Sequence, residues 1–138
     1  MEESAVLQSF VGLPAFLAYF CVSAIAVTVY LLIYTWITPH NEFELIRKNV
    51  PGAAVAIGLS LVGFAMPVAS AVAHAANIFD CAIWSLIGLA VQIIAYYVAR
   101  IPVPDLSHRI AKGEMGSALW LGLASVTAGI LNAASMTL

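Results

Sequence analysis

The chain has 138 residues, 63% of them hydrophobic and only 9% charged, with a mean hydropathy of +1.02. A soluble domain carries about 25% charged residues, so this composition excludes a dissolved globular fold and points to a membrane protein. The net charge of −2 leaves no footprint for nucleic acid, and the two cysteines, Cys21 and Cys81, fit neither a metal motif nor a disulfide scaffold.

Asp, Glu, Lys and Arg divide the chain into blocks. None occurs from Ser4 to Asn41, Asn49 to Phe79, Cys81 to Ala99 or Met115 to Leu138. A helix needs about 20 apolar residues to cross hydrocarbon, so four spans are expected, over Leu13–Ile37, Pro51–Ala75, Cys81–Ile101 and Gly116–Met136. The apolar runs are continuous, without the alternation of a membrane barrel, which makes the fold all-α. Residues 1–12 read as a short tail. Glu2 and Glu3, with no Lys or Arg, are not the basic start of a signal peptide, so the first span is read as retained.

In chain order, helix one begins near Pro14, carries Thr28, Tyr30 and Tyr34, and ends at Trp36, a residue suited to the lipid–water boundary. The first connector is charged. Asn41 and Glu44 have the spacing of a capping box, which predicts one or two helical turns over Glu42–Lys48 with the charges facing water. Arg47 and Lys48 are candidate docking groups there.

Helix two opens at Pro51 and carries small residues at helical spacing, among them Ala54 and Gly58, which would let a neighbouring helix approach closely. Pro67 lies inside it and removes the backbone bond to Gly63, which predicts a kink. Ser70, His74, Asn77 and Asp80 then form a polar link. One His, one Asp and a nearby thiol do not make a recognised metal site.

Helix three holds Gln92 at mid-depth and Arg100 at its end. The second connector, Pro102–Met115, has Asp105 as an expected cap, with Arg109 and Lys112 behind it. Helix four carries a second small stripe that includes Ala118 and Gly122, with Ser125 and Thr127 at mid-depth.

Sliding the chain by sixty-four positions aligns Lys48 with Lys112, Gly52 with Gly116, Ala54 with Ala118, Gly58 with Gly122 and Thr28 with Gln92. The expected architecture is therefore two parallel-repeat helical hairpins, residues 13–75 and 81–138. Both units would point the same way, unlike the inverted repeats of many transporters. All five Lys and Arg residues fall on the two connectors or beside them, which places the connectors in the cytoplasm and both termini outside.

The string Thr38-Pro39-His40-Asn41-Glu42, the Leu45-Ile46 pair, Pro67 with Ser70-Ala71, and the ending from Gly129 to Thr137 resemble the YjfL family of bacterial inner-membrane proteins. The resemblance runs from about Leu17 onward. It implies a tandem two-helix domain, an inner-membrane location and an association with envelope stress. It brings no catalytic residues and no cofactor.

Two functions compete on these residues. One is a non-enzymatic module that recruits or senses, docking a cytoplasmic protein through Arg47, Lys48, Arg109 and Lys112. The other is a small oligomeric channel or transporter lined by a mid-membrane polar set, Thr28, Ser60, Gln92 and Ser125. The small stripes Ala54, Gly58, Ala118 and Gly122 favour a homo-oligomer in the bilayer. An intramembrane enzyme is disfavoured, since there is no His-Glu-x-x-His and no pair of central carboxylates.

Overall fold

The computed structural model describes residues 2–38 and 42–137. Among the described residues seven helices follow one another: α1 (Glu2–Val11), α2 (Leu13–Ile37), α3 (Glu42–Arg47), α4 (Pro51–His74), α5 (Ile78–Ala99), α6 (Leu106–Ala111) and α7 (Met115–Ser135). The described residues contain no strand. Four helices are long and apolar enough to cross a membrane, and the first of these runs from Glu3 to Ile37 with α1 leading straight into α2. The expected tail is thus helical.

Local chemistry accounts for the ends. Pro stands in the first turn of α2 and of α4, where its missing N–H is no loss. Asn77 caps α5: its side chain accepts from the Asp80 N–H at 2.9 Å, and the Asp80 carboxylate accepts from the Ala76 N–H at 3.0 Å. Asp105 behaves otherwise than expected. It precedes α6 but makes no side-chain cap bond, because it sits in the left-handed region at φ 56°. Its role there is to turn the chain, which Asp tolerates better than most residues.

Helix α4 is the hub. It packs on α2, α5 and α7 and also carries α3 and α6 at the connector end, and its contact with α7 is the most extensive in the fold. Close approach at that crossing is made by glycine. A Cβ on Gly129 would overlap the Gly63 carbonyl, and a Cβ on Gly63 would overlap the Ser125 backbone. One turn away, a Cβ on Gly122 would fall 2.6 Å from the Leu59 Cβ. Lipid gives no hydrophobic drive for helix association, so backbone proximity and dispersion hold such a pair together.

Aromatic residues fill the space at the connector end. Tyr30 stacks on Phe64 with centroids 4.6 Å apart, and Tyr34 meets Tyr96 edge-on at 5.9 Å. Leu106 and Ile110 of α6 are buried in the same cluster.

Candidate functional site

The polar interior begins with Pro67. A proline has no N–H to return to the carbonyl four residues earlier, so the Gly63 oxygen is left open. Gln92 of α5 fills it, donating from Nε2 to the Gly63 carbonyl at 3.2 Å and to the Ser125 carbonyl at 3.1 Å. The Ser125 hydroxyl donates to Gln92 Oε1. Three helices are tied at one buried amide. Pro67 itself is buried against Gly88 of α5, where a Cβ would come 3.1 Å from the proline ring.

The polar groups continue toward the connectors. Ser60 and Ser125 lie beside the Tyr30 hydroxyl, and Ser60 beside that of Tyr34. Tyr34 and Tyr96 lie within electrostatic range of the Glu42 carboxyl, and the Tyr96 hydroxyl meets Ser107 at 3.0 Å. A seam of side chains therefore runs from the middle of the bundle to α3. Toward the other end, among the described residues, the buried Ser85 hydroxyl and the Asn132 amide nitrogen stand without hydrogen-bond partners.

Of the expected mid-membrane set, the structure brings Ser60, Gln92 and Ser125 together and leaves Thr28 out. Thr28 is exposed and donates to the Ala24 carbonyl of its own helix at 2.8 Å. Thr127 likewise bonds back to Leu123 at 2.8 Å on the outer side of α7. Of the expected packing residues, Ala118 and Gly122 are buried, whereas Ala54 is exposed and a Cβ on Gly58 would touch nothing. The residues that α4 does bury include Gly52, Ala53, Ala56 and Gly63. Gln92 faces helix backbone, not a lumen.

Arg47, Lys48, Arg109 and Lys112 are all exposed at the connector end. Lys48 pairs with Glu44 at 3.2 Å, and Arg109 approaches Glu114 at 4.0 Å. Exposed pairs of this kind contribute about 0–1 kcal/mol and leave the cations available. The Asn41 part of the expected capping box lies outside the described residues.

Glu42 is a correction. The connector charges were expected in water, yet Glu42 is only 4% exposed, and its Oε2 has no hydrogen-bond partner among the described residues. Burial raises its carboxyl from 4.5 to about 7, with the Thr38 hydroxyl pulling modestly the other way. A run of mixed charge in a loop gives no sign of which member turns inward. The one hint is position, since Glu42 directly follows the Thr-Pro-His-Asn string that ends the first span.

Residues 8–136 match the family described as Domain of Unknown Function (DUF350). The chain belongs to the DUF350 family. It is 38% identical over 126 residues to the UPF0719 inner membrane protein YjfL of Escherichia coli K12, covering 91% of this chain and 96% of that protein. The same protein from Escherichia coli O157:H7 matches equally. No solved structure matches. The DUF350 match takes in all four long helices, the Pro67–Gln92 tie and Glu42.

Proposed function

We propose that this DUF350 protein is a non-enzymatic, multi-pass inner-membrane module whose connector face docks a soluble cytoplasmic partner. The observation that carries the reading is the placement of Arg47, Lys48, Arg109 and Lys112, all exposed on one end of the bundle. They ride on short helices anchored by Leu106, Ile110 and Glu42, which are buried. Cations presented on anchored supports suit recognition of an acidic protein surface. The location is supported by the inner-membrane relative, and the basic connectors support termini on the outside. A role in envelope stress is the physiological setting this reading suggests.

The test uses a photo-crosslinking residue at Phe43, which is exposed beside the cations. Crosslinked partners are identified from intact cells and compared with a variant carrying Arg47→Gln, Lys48→Gln, Arg109→Gln and Lys112→Gln. Loss of a specific crosslink is expected. Unchanged capture overturns the docking reading.

A groove outside α5 and α7, lined by Val91, Ala95, Ala124, Thr127 and Leu131, favours a second reading in part, association of copies as a small oligomeric channel. Ion flux into vesicles holding the purified protein tests it. Absence of flux for Na⁺, K⁺, H⁺ and Cl⁻ removes it.

A further inference from the structure

We propose that the Glu42 carboxyl is a proton-binding site that governs whether α3 stays seated on the bundle, so that cytoplasmic pH sets how the basic docking face is presented. Its consequence for docking rests on the reading above, whereas the seat itself does not.

Among the described residues Glu42 is the sole buried Asp, Glu, Lys, Arg or His. It is the first residue of a six-residue helix, far too short to persist without its neighbours. Where α3 ends, Asn49 turns the chain at φ 63°, with bonds from Asn49 N–H to Ile46 and from Val50 N–H to Leu45 closing the turn. The segment is thus a small capped unit whose position depends on what its inward residues meet.

The surroundings of the carboxyl suit an acid better than a carboxylate. Helix α2 offers the Thr38 hydroxyl and the Tyr34 ring, and α5 offers Tyr96. Arg100 lies over the Tyr96 and Tyr97 rings at 5.8 and 5.9 Å, and among the described residues no cation forms an ion pair with Glu42. Helix α4 contributes nothing, since its only titratable side chain, His74, is in its last turn at the far end. On α6, His108 and Arg109 are exposed, and on α3 itself Glu44 pairs outward with Lys48. A buried carboxylate oxygen with no donor is costly, whereas the protonated group is neutral and brings a donor of its own.

The direction follows from linkage. The seated carboxyl titrates at about 7 against 4.5 when free, so the seated form holds a proton that the released form gives up. Seating is favoured at low pH and weakens as pH climbs from 4.5 to 7. Between pH 5.5 and 8 the ratio of seated to released α3 should fall roughly 30-fold.

Spin labels at Arg47→Cys and Lys112→Cys, in the full chain carrying Cys21→Ala and Cys81→Ala, report this in lipid nanodiscs by double electron–electron resonance. One distance is expected at pH 5.5, with a second population growing by pH 8. Glu42→Gln should keep the single distance at both values, and His40→Gln should respond as the parent does. A distribution indifferent to pH in the parent overturns the proposal. So does a response that survives Glu42→Gln or disappears with His40→Gln. No partner is present, so the switch can fail while crosslinking at Phe43 still supports docking, and the reverse.

Discussion

Thr28 and Gln92 stand sixty-four residues apart, each a hydrogen-bonding residue in the middle part of its helix. In the folded chain they part company. Thr28 is exposed and closed on its own backbone, while Gln92 is 2% exposed and ties α5 to α4 and α7. Gly58 and Gly122 divide the same way, one beside open space and the other against Leu59. Helix α2 buries only Tyr30 and Tyr34, whereas α4 buries residues at every turn from Gly52 to Ala71. A pair of equivalent hairpins would bring α2 to α7 as it brings α5 to α4, yet α4 and α5 pack closely while α2 and α7 share no extensive contact, Tyr30 lying beside Ser125. Positions that correspond at an offset of sixty-four need not share surroundings. What a residue does is settled by which helix lies opposite.

Substitutions can break that contrast, beginning with glycine. Gly129→Ala should be the most damaging, because its Cβ would overlap the Gly63 carbonyl, and backbone cannot move aside as a flexible side chain can. Overpacking costs about 1–3 kcal/mol and occasionally more, and the upper end is expected here. Gly58→Ala should be neutral or stabilise by up to about 1 kcal/mol, since alanine is the better helix former and no neighbour objects. SDS-induced unfolding of the purified protein in mixed micelles measures both, and equal losses would contradict the crossing described for α4 and α7.

Next in size is the buried amide. Gln92→Leu should cost about 1–2 kcal/mol in the same assay, with Thr28→Val within about 0.5 kcal/mol of the parent. Comparable costs would mean that the two positions are alike after all.

A subtler expectation concerns Pro67. Pro67→Ala restores an N–H that can bond the Gly63 carbonyl, so Gln92→Leu should cost less in that background than in the parent. The difference, read from a double-mutant cycle, is expected near 0.5–1 kcal/mol. Strict additivity would show that the proline and the glutamine are unconnected.

Much of the architecture was legible beforehand because lipid imposes simple rules. Charge-free blocks located the four long helices, and Leu13–Ile37 agrees with the span expected from its residues. Pro67 announced an open carbonyl at Gly63, but what would fill it was hidden, since sequence gives depth along a helix and not the angle of its neighbour. Ala54 and Gly58 had the spacing for close packing, but they point away from the other helices of this chain, an azimuth that spacing alone does not give. Glu42 was unreadable for a related reason: burial of one charge in a mixed run depends on which helices fold over it, and Tyr96 of α5 comes within its electrostatic range from far along the chain.

The long N-terminal segment, α1 and α2 joined through a turn at Gly12, has a geometric corollary. Its 35 residues, at 1.5 Å each, extend about 52 Å, against a hydrocarbon slab of about 30 Å. Leaning alone would have to exceed 50° to hide it, beyond the 0–40° that spanning helices adopt. Two turns or more must therefore stand clear of the acyl chains, on the side away from α3 and α6. They carry Leu7, Phe10 and Val11 in the open, a greasy spar that headgroups or a neighbouring protein would need to shelter.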